Sequence, residues 1–312
     1  MKRICISEFM DPEAVAALTP GFELRYEPDW VDRRAELLAA LPAADALIVR
    51  NRTQVDVALL DAAPRLRVVG RLGVGLDNID VESCRARGIR VIPATGANAR
   101  SVAEYVVTTA AMLLRGGYQS SGEVMQGKWP RARLSEGREA LGKTLGLIGF
   151  GDIGRQTAAL AQAFGMRVVA HDPMLRDDDP VWQRSGVAPR GLDALLAEAD
   201  AVSLHVPLVP ATRHLLDARR LAAMRPGAVL INTARGGVVD EAALAAALRD
   251  GHLAGAALDV FEREPLPAGS PLDGVPNLVL TPHIGGVTRE ANARVSMLIA
   301  QQVRQALEEA ST

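Results

Sequence analysis

Twice along this chain, short β-branched runs alternate with helical stretches, and that alternation limits the folds open to it. The first series reads RICIS, then DPEAVAALT; ELRYE, then DRRAELLAAL; DALIVR, then VDVALLDAA; then LRVVGRL, with GIRVIP at 88–93 as a further strand. Strands joined through helices run in the same direction, so each series predicts a parallel sheet covered by helices. The second series starts at Thr144 and offers TLGLIGF, RVVAHD, AVSLHV, AVLINTA, GAALDVF and LVLTPH. Six strands with helices between them make a complete doubly wound sheet. At 312 residues the chain exceeds the size of one core, so two α/β units are expected.

Between the two series lies SVAEYVVTTAAMLLRGG, read as a helix opened by a Ser101–Glu104 capping box and apolar on nearly every side. Such a helix needs cover, from between domains or from a second copy of the chain. A polar stretch follows, from Gly116 to Lys143. A last helix, at about 288 to 309, fits either unit on pattern alone.

Composition excludes several roles. Hydrophobic residues make up 48% and charged residues 23%, the profile of a folded globular chain. A net charge of −2 supplies no concentrated basic surface, so nucleic acid is not an expected partner. Cys5 and Cys84 stand alone, without C-x-x-C or Cys/His metal spacing, so neither a disulfide framework nor a metal site is expected. The amino terminus MKRICISEFMD is too briefly apolar for a signal peptide, and no stretch approaches the ~20 apolar residues of a membrane span. A cytoplasmic protein is the expectation.

The chemistry begins at GFGDIGR. Gly149, Gly151 and Gly154 form a G-x-G-x-x-G frame directly after an apolar strand, opening a helix through QTAALAQAFG. Glycines there permit a tight turn and close backbone approach, while the helix N-terminus offers N–H groups to a pyrophosphate. Asp172 ends the next strand, 18 residues beyond Gly154, where a carboxylate accepts from an adenosine ribose diol and repels a 2′-phosphate. This fingerprint predicts NAD rather than NADP, on a Rossmann-like sheet.

Ligands on such sheets sit beyond the carboxyl ends of the strands, which is where His171, His205, Arg235, Asp259, Glu264 and His283 fall. Position alone does not choose the acid/base among the three histidines. His214 and His252 lie in or just after helical segments and read as surface or capping residues.

Six blocks together resemble the D-isomer-specific 2-hydroxyacid dehydrogenases, the family that includes D-3-phosphoglycerate dehydrogenase. They are GRLGVGLDNID, SVAEYVV, GKTLGLIGFGDIGR, LINTARGGVVDEAAL, GAALDVFEREP and TPHIGGVTREA, and they run over nearly the whole length in order. The resemblance implies a catalytic set of Arg235, Glu264 and His283. Arg235 would hold the substrate's carboxylate and carbonyl oxygen through a guanidinium fork that lysine cannot reproduce. His283 would carry the hydroxyl proton, and Glu264 would fix its tautomer. Asp259 resembles an acid near the nicotinamide end. Asp152, Ile153, Val206, Thr233, Ala234, Arg235 and the run from His283 through Gly285 and Gly286 match positions lining the dinucleotide.

By the same resemblance, Val74 and Gly75 would offer backbone N–H groups to the substrate carboxylate, and Arg50 and Arg52 would bind an anionic tail, phosphate or sulfonate. Arg131 and Arg133 could complete an anion pocket, in the same chain or in a neighbouring subunit. The implied fold is two Rossmann-like doubly wound domains facing each other across a cleft. The NAD-binding domain, 99–287, would be inserted in a discontinuous substrate domain, 1–98 and 288–312, and a homodimer is expected. The chain ends at Thr312, so a carboxyl-terminal regulatory domain is not expected. The implied function is NAD-dependent interconversion of a small 2-hydroxy acid and its 2-keto acid, 3-phosphoglycerate-like or 3-sulfolactate-like. Alternatives are a glyoxylate/hydroxypyruvate-type reductase and a non-catalytic NAD-sensing, corepressor-like binding protein.

Overall fold

The computed structural model describes residues 1–118 and 120–309. The chain forms two compact units, Met1–Asn98 with Val287–Thr312, and Ala99–Gly286. Residues 310–312, placed in the first unit by the sequence pattern, lie outside the described residues.

The first unit holds β1 (Lys2–Ile6), β2 (Phe22–Tyr26), β3 (Ala46–Val49), β4 (Val68–Arg71) and β5 (Arg90–Pro93), in the order β2-β1-β3-β4-β5. Every pairing is parallel. β3 is buried along its whole length, as a central strand covered on both faces must be. Helix Arg289–Glu309 lies against β4 and against helix Pro12–Leu18. It buries Val295, Ile299, Val303 and Leu307, four residues apart, along one stripe. Gly70 in β4 makes room for that stripe: a Cβ there would lie 2.8 Å from a methyl of Ile299 and from one of Val303.

The second unit holds β6 (Thr144–Ile148), β7 (Arg167–His171), β8 (Ala188–Pro189), β9 (Ala201–Leu204), β10 (Val229–Asn232), β11 (Gly255–Leu258) and β12 (Leu278–Leu280). Their order is β12-β11-β10-β9-β6-β7-β8, again all parallel. The fold is the expected mixed α/β class with two parallel sheets. The chain enters at β6, winds outward through β7 and β8, and crosses back to lay β9 on the other side of β6. The winding therefore reverses between β6 and β9, the place where such sheets open a crevice at their carboxyl ends. The apolar runs predict six strands here and the structure has seven. β8 is two residues long at the sheet edge and contains Pro189, so it carries neither a period nor a full set of donors.

Helix Ala99–Arg115 corrects a second expectation. It begins two residues before Ser101, so Ser101 lies buried inside the helix and Glu104 pairs with Arg100 at 2.5 Å; the capping box does not form. The cover the helix needs comes from its own unit, from helix Asp152–Ala163 and from β10 and β11. Arg100, Glu104, Thr108 and Arg115 are its exposed positions. No described helix is long and apolar enough to cross a membrane. Among the described residues, no group of three or more His, Cys, Asp or Glu side chains is placed to hold a metal ion.

Candidate active site

The three glycines after β6 serve different needs. Gly149 has φ +97°, and a Cβ on it would lie 2.5 Å from the carbonyl oxygen of His205, at the end of β9. Gly154 sits inside helix Asp152–Ala163, where a Cβ would lie 2.4 Å from the carbonyl oxygen of Gly149. Both are glycines because the protein's own backbone passes too close for a side chain. Gly151 differs, since a Cβ there would meet nothing within 4 Å. It is the N-cap of a 12-residue helix and supplies no side-chain cap, so the helix N-terminus faces open space with its donors outward. A cradle free of side chains over a helix N-terminus fits the pyrophosphate of a dinucleotide. Asp172, just past β7, accepts the N–H of Phe150 at 2.8 Å and that of Met174 at 2.9 Å, tying the glycine turn to the neighbouring strand end. Asp152 pairs with Arg155 at 2.7 Å.

Beyond β10, the side chain of Asn232 shapes the next turn: its oxygen accepts the Ala234 N–H, and its amide donates to the Arg235 carbonyl, both at 3.0 Å. One arm of the Arg235 guanidinium donates to the Ala234 carbonyl at 2.7 Å. Gly236 then packs on the loop after β11 so tightly that a Cβ would lie 1.7 Å from the Phe261 carbonyl oxygen. That loop carries Glu264. One oxygen of Glu264 accepts the Phe261 N–H at 3.1 Å, and the other meets Nδ1 of His283 at 2.8 Å. Arg235 and His283 thus belong to one connected patch, joined through Gly236, Phe261 and Glu264. A carboxylate only accepts, so Nδ1 of His283 carries the proton and Nε2 is the ring's other functional nitrogen.

His283 has φ +56°, a left-handed conformation uncommon outside glycine. Its backbone is held there by Asp259, whose carbonyl accepts the His283 N–H at 2.8 Å. The Asp259 side chain, 2% exposed, accepts from the Thr281 hydroxyl at 2.6 Å and from the N–H groups of Ile284 and Gly285 at 2.8 and 2.7 Å. Gly285 is a glycine because a Cβ would stand 2.9 Å from that carboxylate. Three side chains that the sequence pattern did not single out organise this patch. Asn232 and Thr281 lie in the quoted blocks, and Glu241 accepts the Glu262 N–H at 2.7 Å, pinning the loop that bears Glu264.

The other histidines take lesser parts. His171 faces the Arg190 carbonyl at 3.1 Å. His205 meets the Ser203 hydroxyl at 3.1 Å, and burial pushes its pKa down to about 4. His252 contacts the Met224 carbonyl at 3.0 Å. His214 pairs with Glu262 at 3.2 Å, so it braces the catalytic-side loop and is more than a surface residue.

On the first unit, Glu8 accepts the backbone N–H groups of Arg50, Thr53 and Arg52 at 2.8, 3.0 and 3.2 Å, shaping the turn after β3. The two arginines of that turn are not equivalent. Arg52 forks onto Asp32, with one arm at 3.3 Å. Arg50 donates to Asn292 at 2.9 Å and lies over the Phe9 ring, and among the described residues no carboxylate stands at ion-pair distance from it. Burial lowers its pKa from the usual arginine value. Val74 is 38% exposed, and the N–H groups of Val74 and Gly75 meet no acceptor among the described residues. Arg133 pairs with Glu123.

A doubly wound sheet with a glycine cradle at its switch point, an arginine after β10 and a hydrogen-bonded carboxylate–histidine pair is the arrangement of an NAD-dependent oxidoreductase. The family model described as D-isomer specific 2-hydroxyacid dehydrogenase, NAD binding domain, matches residues 107–285. The chain is 57% identical over 307 residues to (S)-sulfolactate dehydrogenase of Chromohalobacter salexigens, covering 98% of this chain and 99% of that one. It is 43% identical over 309 residues to D-3-phosphoglycerate dehydrogenase of Mycobacterium tuberculosis, covering 97% of this chain but 56% of that longer protein. A protein of Thermus thermophilus with a solved structure superposes with a TM-score of 0.88 at 37% identity, covering 98% and 97% of the two chains. The chain belongs to the D-isomer specific 2-hydroxyacid dehydrogenase family.

Proposed function

We propose that this enzyme oxidises 3-sulfolactate, or a 2-hydroxy acid of the same size bearing a single-charged tail, to its 2-keto acid. The observation that carries the choice is the unequal state of the two tail-side arginines. Arg52 is already matched by Asp32, whereas Arg50 has no carboxylate at ion-pair distance among the described residues. A guanidinium outside direct ion pairing, with only the through-space influence of Glu8, suits a monoanionic sulfonate better than a phosphate carrying about two charges. End-to-end similarity to a sulfolactate dehydrogenase supports the same reading.

Arg235 is assigned to the carboxylate and the C2 oxygen, and on the first unit the N–H groups of Val74 and Gly75 are assigned to carboxylate binding. The chemistry NAD supplies when bound is acceptance of the hydride from C2. As that C–H electron pair leaves, the hydroxyl proton passes to Nε2 of His283 and C2–O becomes the carbonyl. Glu264 holds the proton on Nδ1, so Nε2 is a base at the start and an imidazolium afterwards. Gly149, Gly151, Asp152, Ile153 and Gly154 form the pyrophosphate side, with Asp172 serving the ribose. Val206, Thr233, Ala234, Asp259, Gly285 and Gly286 line the rest of the dinucleotide. The same reading makes the chain a homodimer.

The test follows NADH formation with both enantiomers of 3-sulfolactate, with 3-phosphoglycerate and with glycerate. The expected specificity constant is highest for one sulfolactate enantiomer and falls when Arg50 is replaced by Ala. A higher constant for 3-phosphoglycerate would overturn the substrate choice.

A further inference from the structure

Tyr105 stands in the middle of helix Ala99–Arg115, and its phenol points at a hydroxyl instead of into the apolar core around it. The partner is Thr281, at 2.7 Å between oxygens. The direction of that bond is fixed by what lies beyond. Thr281 has one proton, and its oxygen stands 2.6 Å from Oδ1 of Asp259, which already takes the Ile284 N–H on that oxygen and the Gly285 N–H on the other. A carboxylate with donors on both oxygens is the acceptor, so Thr281 gives its proton to Asp259 and offers only lone pairs to Tyr105. With the Thr281 proton committed to Asp259, the Tyr105 phenol is the donor to Thr281, and it also meets the Thr109 hydroxyl on its own helix.

The far end of this chain is the backbone of His283. Asp259 holds residues 281–285 through its carbonyl and both side-chain oxygens, and within that wrap His283 adopts φ +56°. A non-glycine residue in this region is strained and persists only where its surroundings over-determine it. The Thr281 hydroxyl is the one side chain of the wrapped segment bonded to Asp259, and its rotamer is set by having a donor on one side and an acceptor on the other. Tyr105 supplies that donor from a half-buried position on a helix packed against helix Asp152–Ala163. We infer that Tyr105 is a positioning residue for His283, acting across the unit through Thr281 and Asp259. This inference rests on the assignment of His283 as the proton carrier.

Tyr105→Phe keeps the ring and its packing while removing the donor. The loss of this part-buried hydrogen bond at the start of the relay is expected to lower kcat about five- to tenfold. The solvent deuterium isotope effect on kcat should rise, because proton transfer to a loosened imidazole becomes slower. NADH affinity and Tm should stay close to wild type. Thr281→Val should match or exceed the loss, and Thr281→Ser, which restores a hydroxyl, should recover most of it. Wild-type kcat in Tyr105→Phe, an equal weakening of NADH binding, or a Thr281→Ser enzyme as slow as Thr281→Val would each overturn the inference. His283→Asn separates it from its premise: full turnover in that variant removes the proton-carrier assignment and this inference with it. An inactive His283→Asn beside an unaffected Tyr105→Phe removes the inference alone.

Discussion

Arg235 is anchored at its backbone and along one arm of its guanidinium, by Asn232 and by the Ala234 carbonyl. A guanidinium held this way keeps a fixed plane, which is what a bidentate grip on a carboxylate requires. Arg235→Lys keeps the charge and loses the plane. The expected outcome is a fall of about 100-fold or more in kcat/KM for the keto acid, with NADH affinity nearly unchanged. Comparable losses in both would show that the residue serves the cofactor and not the substrate. His205 supports a different kind of prediction. Its pKa is pushed down to about 4 by burial, so the folded protein resists protonating a group that titrates near 6.5 once unfolded. The unfolded state then binds the extra proton, and the stability that the neutral ring contributes above pH 6.5 is lost as pH falls toward 4. Urea denaturation of wild type and His205→Gln at about pH 7 and about pH 5 should show a steeper loss in wild type. Equal slopes would mean that the ring titrates normally in the folded chain.

At the scale of the elements, the glycine motif separates two demands that a sequence pattern merges. Gly154 is required by the fold, since its Cα faces the Gly149 carbonyl, while Gly151 stands before open space in an extended backbone with negative φ. Gly154→Ala is therefore expected to lower Tm by several degrees. Gly151→Ala should leave Tm unchanged and raise the NAD KM, because under the proposed assignment its methyl group would enter the space taken by the pyrophosphate. Thermal melts and NAD titrations of both variants check the division; a Tm loss in Gly151→Ala would contradict the open cradle. The strands were legible because each is a short apolar run followed by a helical pattern, and the missed β8 had neither property. The misread start of helix Ala99–Arg115 has another cause. Ser-x-x-Glu satisfies the capping pattern in sequence, but the residues before it, Ala99 and Arg100, are themselves good helix formers and continue the helix past the candidate cap.

Across the whole molecule, what the sequence exposed best was the order of chemical groups along strand ends, because a parallel sheet brings every carboxyl end to one side. His283, Glu264 and Arg235 were legible for that reason together with the family resemblance. The groups that hold them were not: Tyr105, Thr281 and Glu241 act through contacts between residues far apart in sequence, which no local pattern encodes, and Asn232 acts within a turn whose residue types do not mark it. Surface features follow the same division. Helix Ser121–Met125 buries no residue, and just after it Trp129 is 76% exposed, with Met125 at 82% and Val124 at 42%. Three large apolar side chains lie exposed within six positions, none with a place in its own unit's core, and the proposed homodimer would bury them against a second copy of the chain. The double variant Met125→Glu with Trp129→Glu puts two charges into that surface without touching either unit's interior. Sedimentation should show wild type as a dimer and the variant as a folded monomer at micromolar concentration, with unchanged far-UV circular dichroism. A wild type that sediments as a monomer overturns the homodimer, and a variant that stays dimeric moves the interface away from residues 121–129.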